Sequence, residues 1–326
     1  MRLRITAHPR IHICLVDLAG ISARSYCGVG FSLTGPVTRW LVEDSDRIQL
    51  IGTSSLDARA LHDIDETICR LVARGAEGFT AELEKVPQQH IGLGTKTTLL
   101  LSLIAAVDRL KDLGLSSTEI RKLSGRGGAS GIGVNLFFCG GFAWDGGHPP
   151  IQPRAFLPSG AVQQPNQPPP MLARWSFPDR WVVSLVLAGT TTFAGSNEID
   201  FFKSKTPISA DDALQTMSFV YHGVVPAVSM NDLSLLKVSL EGVHSVGLKY
   251  QELGVQSKST IQTFVALQAL PGAAVGLSSL GPLIYCISEK HDDGARESIV
   301  EICQRTNSEY LGTFLGSNDG FSIESS

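Results

Sequence analysis

Pro87-Gln88-Gln89-His90-Ile91-Gly92-Leu93-Gly94-Thr95-Lys96-Thr97-Thr98 leads straight into an apolar-faced segment. Glycines let backbone N–H groups approach an anion closely, and the start of a helix adds roughly half a positive charge. Thr95, Thr97 and Thr98 supply hydroxyls and Lys96 a full charge, so the segment reads as a phosphate cradle. The GxxxxGK[ST] spacing of a P-loop is absent, and a Thr-capped helix after a flexible turn is the plainer alternative. A lysine at a helix start is unfavourable unless an anion lies nearby. Lys96 is therefore expected to face a charge on a bound ligand, or else to bend into solvent. Gly125–Gly133 is a second anion candidate, with Arg126, Ser130 and Gly131 among glycines. A guanidinium there can fork onto a phosphate or carboxylate, and a structural turn is the alternative. Asp145-Gly146-Gly147-His148 sets an acid beside an imidazole, as solvated loop residues also would. Ser278 and Ser279, within Gly272–Pro282, can present hydroxyls and amides to a ligand, although turns commonly look like this. Asp17 and Arg24 near the start read locally as a strand-end turn residue and a solvated loop charge.

The elements that must position these residues follow from periodicity. Arg2–Thr6 alternates polar and apolar as a half-buried strand does, and Ile11–Asp17, Thr38–Glu43 and Phe79–Val86 read as further strands. Leu56–Ala73 puts Leu61, Ile64, Ile68, Leu71 and Val72 on one helical face. Thr97–Leu113 is the clearest helix, with Leu100, Leu101, Ile104, Val107 and Leu110 at helical spacing. Ser116 and Glu119 form a capping box for a short helix to Leu123. The uncharged stretch Gly127–Trp144, with six glycines, is expected to run from loop into strand. Residues 149–170 hold eight of the sixteen prolines and read as a surface loop or interdomain connection. A strand at Trp181–Leu187 follows, then helices near 209–222, 231–253 and 258–269. A strand at Leu283–Ser288, a helix at 293–306 and a strand near Tyr310–Leu315 close the chain. Strands flank groups of helices without a βαβ rhythm, which is an α+β pattern.

Composition narrows the function classes. The 326 residues suit roughly two domains, and 43% hydrophobic with 18% charged residues is a folding composition. Lys and Arg total 27 against 31 Asp and Glu, a net charge of −4, without the basic excess of a duplex nucleic-acid binder. Six cysteines without a CxxC pair argue for reduced thiols in a cytoplasm rather than disulfides or a Cys-type zinc site. Ile261–Ser288 is uncharged over 28 residues, but Pro271-Gly272 and Gly281-Pro282 would break a lipid-facing helix, so it reads as buried core and a glycine turn. No membrane association is expected, and the N-terminal apolar run, interrupted by His8-Pro9-Arg10, is not read as a signal peptide.

Taken in order, these segments carry a family resemblance. Pro87–Thr98 resembles the second motif of the GHMP kinases, P-x-x-x-G-L-G-S-S, with Thr95 in place of Ser and Lys96 in place of a small residue. More specifically, the chain resembles β-ribofuranosylaminobenzene 5′-phosphate synthases, GHMP-fold enzymes that are not kinases. The matching features are Pro9-Arg10-Ile11-His12 with Asp17, Gly92–Thr95, Gly125–Gly133, Gly140-Gly141-Phe142 with Asp145–His148, Pro226-Ala227, and Ser278-Ser279 with Gly281-Pro282. The resemblance implies a GHMP-kinase-like α+β fold of two lobes, 1–160 and 161–326, with the ligand between them. It implies a C-ribosyltransferase joining phosphoribosyl pyrophosphate, with Mg²⁺, to an aromatic or heteroaromatic carboxylic acid, with loss of CO2 and pyrophosphate. Related C-nucleoside synthases of the formycin and pyrazofurin type share that chemistry, so a methanopterin-type coenzyme and an antibiotic remain alternative products. Asp17 would support the cationic ribose or the metal, Arg24 an anionic group, and Lys96 the reacting anion. Arg10, His12, Gly92, Gly94, Thr95, Thr97, Thr98, Arg126, Ser130, Gly131, Asp145, His148, Ser278 and Ser279 would contact substrate or phosphate. A small-molecule kinase using ATP and a non-catalytic ligand-binding regulator are the competing readings, which fold alone cannot separate. The uncharged segments leave room for a homodimer interface.

Overall fold

In the computed structural model, residues 1–150, 155–158, 161, 169–189 and 195–325 are described. Arg2–Ala7 (β1) buries alternate side chains, while Arg10–Asp17 (β2) is buried on nearly every position. Tyr26–Ser32 (β3) follows, then Thr38–Asp44 (β4) and the short Gln49–Ile51 (β5). Ala58–Val72 (α1) is capped by Asp57, whose carboxylate accepts from the Ala60 amide, and it buries Ala60, Ile64, Thr67 and Leu71. Next come Phe79–Lys85 (β6) and Thr95–Lys111 (α2). Every residue of α2 from Thr95 to Val107 except Lys96 is buried, so this helix is enclosed rather than amphipathic. Ser117–Ser124 (α3) has the expected capping box between Ser116 and Glu119.

Ile132–Cys139 (α4) and Phe142–Asp145 (β7) come next, and α4 corrects the expectation of an irregular run from Gly127 to Trp144. Its side chains are apolar on all sides because β3 and β7, α2 and β2 surround it, so no amphipathic period marks it in the sequence. Residues 151–154, 159–160 and 162–168 lie outside the described set, with much of the proline-rich segment and the expected lobe boundary at 160. The chain continues through Met171–Trp175 (β8), Trp181–Leu187 (β9), Ser196–Lys205 (α5) and Ala210–Phe219 (α6). One π-helical turn at Val220–Val224 joins α6 to Val225–Met230 (α7). The helix expected over 231–253 divides into Leu233–Ser245 (α8) and Gly247–Gly254 (α9), because Gly247 takes a left-handed φ of 55°. Lys258–Gln268 (α10) leads to Ala273–Leu277 (β10), a wholly buried strand where a glycine turn was expected. Leu283–Glu289 (β11), Asp293–Thr306 (α11), Glu309–Leu315 (β12) and Ser322–Ser325 (β13) complete the chain.

Three sheets result, ordered β13-β1-β4-β6-β5, β2-β3-β7-β8 and β10-β11-β9-β12. The first packs its apolar face on α1, α2 and α3. The second and third share a core between β2, β3, β9 and β11, closed by the helices from α6 to α8. α10 and α11 cover β10 and β11 on the other side. None of the six cysteines forms a disulfide, and among the described residues no helix is long and apolar enough to cross a membrane.

β3 escapes a sequence reading because Gly28 and Gly30 dilute its strand pattern, yet the packing needs both. A Cβ at Gly30 would lie 2.3 Å from the Ile11 carbonyl oxygen and 2.7 Å from a methyl of Ile132. Gly30→Ala is therefore expected to destabilise the fold by about 1–3 kcal/mol, as overpacking in a tight core does. A denaturation midpoint equal to that of the wild type would show that β2 and α4 can part without cost.

Candidate active site

The approach to α2 is built from left-handed residues. His90, Gly92 and Gly94 have φ of 62°, 115° and 72°, a route that favours glycine. It sets Gly94 as the cap, with its carbonyl accepting from the Thr97 and Thr98 amides at 2.9 and 3.2 Å. Among the described residues the Thr95 and Lys96 amides have no such partner, which leaves donors at the positive end of the helix. Arg10 of β2 donates from Nη1 to the Gly92 carbonyl at 2.7 Å, and the Ser278 hydroxyl donates to the same oxygen at 2.7 Å. A Cβ at Gly94 would lie 3.1 Å from Arg10 Cγ and Nε, so glycine there lets the guanidinium lie under the loop.

Arg126, beyond α3, donates from Nε to the Thr97 hydroxyl at 3.2 Å. Among the described residues, neither Arg10 nor Arg126 has a carboxylate oxygen within 4.0 Å. Burial pushes the Arg10 pKa down to about 10, and the nearby Arg126 pushes it the same way, while Glu198 opposes both. Burial lowers Arg126 too, against the pull of Asp63 and Glu198. Lys96 is also lowered, chiefly by burial, with a hydrogen bond to Asp63 opposing.

Asp63 of α1 forms an ion pair with Lys96. The anion that a lysine at a helix start requires thus comes from the protein itself, a correction to the expectation that a ligand supplies it. Asp57 holds His90 in the same way, at 2.7 Å.

These groups line a cleft of about 200 Å³ at the start of α2. Arg10, Gly92, Gly94, Thr95, Lys96, Thr97, Arg126, Ser130 and Ser279 all border it, drawn from four separate segments. A smaller inner chamber continues behind Arg10, bordered by His12, Ser130 and Ser279. Thr98, Gly131 and Ser278 sit one layer back: the Thr98 hydroxyl bonds that of Thr38 at 2.8 Å, and the Gly131 amide donates to Asp145 at 2.9 Å.

Four further expected site residues, Asp17, Arg24, Asp145 and His148, also border neither space. Both Asp17 oxygens accept amides of its own turn, from Ala19, Gly20 and Ser22 at 3.0, 2.7 and 2.8 Å. Arg24 is spent on the Gly146 and Gly147 carbonyls, the latter at 2.7 Å. Asp145 accepts from the Ser130 hydroxyl at 3.1 Å and from the Gly131 and Gly147 amides. Burial lifts its pKa to about 6 although those hydrogen bonds oppose the shift. His148 pairs by its backbone with Ser25 and meets the Tyr26 ring edge-on. They are scaffold: Asp145 holds the turn that carries Ser130, and Arg24 anchors the loop after β7.

Sequence reasoning missed the acids of the cleft, Asp57, Asp63 and Glu198, and the cation Arg59. Asp57 had a readable helix-capping signal, but Asp63 and Glu198 look like ordinary helix-surface acids. Among the described residues no three His, Cys, Asp or Glu side chains gather to cage a metal. Mg²⁺ usually needs only one or two carboxylates beside substrate phosphates and water. Glu198, its pKa raised by burial, is a carboxylate of that kind at the cleft wall.

No family model matches the chain. The chain is 31% identical over 297 residues to a β-ribofuranosylphenol 5′-phosphate synthase of Archaeoglobus fulgidus, covering 91% of each protein. It is 26% identical over 309 residues to the enzyme so named from Methanothermobacter thermautotrophicus, covering 93% of each. Among solved structures, homoserine kinase from Cytophaga hutchinsonii superposes with a TM-score of 0.70 at 16% identity, over 99% of this chain and 97% of that one. Streptococcus pneumoniae phosphomevalonate kinase gives 0.71 at 12%, over 96% and 99%. Mevalonate diphosphate decarboxylase from Staphylococcus aureus gives 0.63 at 13%, over 99% and 98%. The fold is thus the α+β fold of the GHMP kinases, and at such identities the likeness concerns fold alone.

The pairing of Lys96 with Asp63 sets up a double-mutant test. Lys96→Met leaves the Asp63 carboxylate uncompensated beside the anion site, so inorganic pyrophosphate should bind on the order of 10-fold more weakly. Adding Asp63→Asn should recover most of that loss in a calorimetric titration. A double variant no better than Lys96→Met would mean that the ammonium itself, and not its pairing, carries the effect.

Proposed function

Because the chain belongs to the β-ribofuranosylphenol 5′-phosphate synthase family of transferases, we propose that it joins the ribose of phosphoribosyl pyrophosphate to a ring carbon of an aromatic carboxylic acid. The relatives are named for a phenol product, which makes a ring-hydroxylated acid such as 4-hydroxybenzoate the first acceptor to try. One observation carries the reading: two half-buried guanidiniums, unpaired by a carboxylate among the described residues, flank the open N-terminus of α2. Such a site suits a group that gains negative charge as it leaves.

In this reading Arg10, Arg126 and the Thr95 and Lys96 amides hold the pyrophosphate. The bond from ribose C1 to the pyrophosphate oxygen breaks, and the electron pair leaves with that oxygen. Donors already oriented toward the departing oxygens stabilise this charge without reorganising. The ring carbon bearing the carboxylate attacks C1. The bond to the carboxylate then breaks, and its electrons restore the aromatic ring as CO2 departs. That last step needs no strong base, in keeping with the absence of a nucleophile–base dyad among the described cleft residues. Mg²⁺, held by Glu198 together with donor phosphates, would neutralise part of the phosphate charge.

The reaction is testable as a balance. Phosphoribosyl pyrophosphate, Mg²⁺ and 4-hydroxybenzoate should yield CO2 and pyrophosphate in equal amounts. Release of pyrophosphate without CO2, across hydroxy- and aminobenzoates, would contradict a decarboxylating transfer. Substrate-dependent ADP formation from ATP would instead favour a kinase.

A further inference from the structure

The inner chamber behind Arg10 is the least explained space in the molecule. Its lining is mixed, with Leu15, Phe202 and Leu280 as the larger apolar side chains. Two acids border it: Glu198, shared with the cleft, and Glu252, which is paired with Lys249 at 2.6 Å, both groups of that pair buried. His12 also borders the chamber, is 7% exposed, and its Nε2 has no hydrogen-bond partner among the described residues. A buried polar atom left unsatisfied costs on the order of 1–3 kcal/mol, so its partner is expected to be a ligand.

The local backbone serves this placement. The pairing of β2 with β3 shifts register between His12 and Cys14, and an irregularity of that kind re-aims the side chains beside it. Gly28 of β3 supplies room, since a Cβ there would lie 3.3 Å from both His12 Nε2 and Asp145 Oδ2. Arg10 and His12 are two residues apart on a regular stretch of strand and border the same chamber. Two residues of strand span roughly 6.6 Å, comparable to a benzene ring with substituents at opposite corners.

We propose that the chamber holds the ring of the acceptor, with its carboxylate toward Arg10 and the ring hydroxyl opposite it hydrogen-bonded to His12 Nε2. The proposal rests on reading the cleft as a site of C-ribosyl transfer, and it makes His12 a specificity-determining residue. Burial, with Arg10 and Lys249 nearby, holds the imidazole well below its usual pKa. A neutral imidazole can bond a hydroxyl through Nε2 whichever of the two carries the hydrogen. His12 is buried and its Nε2 lacks a partner among the described residues, so an acid lacking the hydroxyl would leave it unsatisfied.

The test is a binding comparison on the whole chain. With pyrophosphate present, wild type should bind 4-hydroxybenzoate about 10-fold more tightly than benzoate. In His12→Phe, which keeps a planar ring and loses the nitrogen, that preference should disappear. A preference retained in His12→Phe, or an equal loss for both acids together with pyrophosphate, would overturn the assignment. Should that variant fail to fold, wild type labelled with ¹⁵N in histidine decides: the His12 Nε2 resonance should move with 4-hydroxybenzoate and not with benzoate, and an unmoved resonance overturns the proposal. Turnover of the wild type tests the underlying reading separately. A hydroxyl preference that depends on His12, without CO2 release, would contradict the transfer reaction and leave the chamber standing. CO2 release with an unchanged preference in His12→Phe would do the reverse.

Discussion

Two half-buried guanidiniums near each other at the open end of a helix are the constraint on which the rest of the site depends. Arg10 and Arg126 are both half-buried at the cleft, neither faces a carboxylate within ion-pair distance among the described residues, and the partial positive charge of α2 points the same way. Burying unpaired charge is unfavourable, so the fold must hold these groups by other contacts until an anion arrives. It does so with neutral acceptors: the Gly92 carbonyl for Arg10 and the Thr97 hydroxyl for Arg126. Neutral partners fix the direction of a guanidinium without cancelling its charge. The acids of the cleft are mostly committed elsewhere, Asp63 to Lys96 and Asp57 to His90.

That arrangement explains otherwise unrelated features. Gly94 lacks a side chain where Arg10 must pass, and Gly92 lacks one where a Cβ would lie 2.5 Å from the Ser278 carbonyl oxygen. Ser278 ties the third sheet to the loop before α2, with its hydroxyl on Gly92 and a link to the His12 amide at 3.3 Å. The buried Lys249 donates to the Leu277 and Ser279 carbonyls at 2.7 and 3.1 Å. It thereby holds Ser279 in its left-handed conformation, φ 53°, at the cleft edge. Asp145 plays the same part for Ser130. These buried polar groups act through the backbone they orient, and the ligand surface is the sum of those orientations.

Much of this was legible in the sequence, and the limits have physical causes. The glycine-threonine loop, Arg126, Ser130 and Ser279 were readable because anion binding by backbone needs glycine and hydroxyl residues close together in sequence. β1 and β6 were readable because their side chains alternate between core and surface, and β9 and β11 because a short run dominated by large apolar residues marks a buried strand. α4 and β10 were not, since the glycines in and around them break up their short apolar runs. Asp17 and Arg24 read locally as a turn residue and a loop charge, and only the family resemblance assigned them roles; in the structure Asp17 holds its own turn and Arg24 two carbonyls. Asp63 could not be assigned to Lys96 from spacing, because 33 positions separate them and only the packing of α1 on α2 brings them together.

The central claim is that Arg126 is held charged and uncompensated for the sake of an anion, and the melting temperature of Arg126→Met tests it most directly. Without ligand the variant should melt no lower than wild type, because removing one of two like charges offsets the lost contact with Thr97. Saturating pyrophosphate should raise the wild-type melting temperature by several degrees, as binding near 100 times the dissociation constant adds about 2.7 kcal/mol, and should leave the variant almost unmoved. A variant that melts well below wild type yet keeps the full rise with pyrophosphate would show Arg126 to be a structural contact and would place the anion site elsewhere.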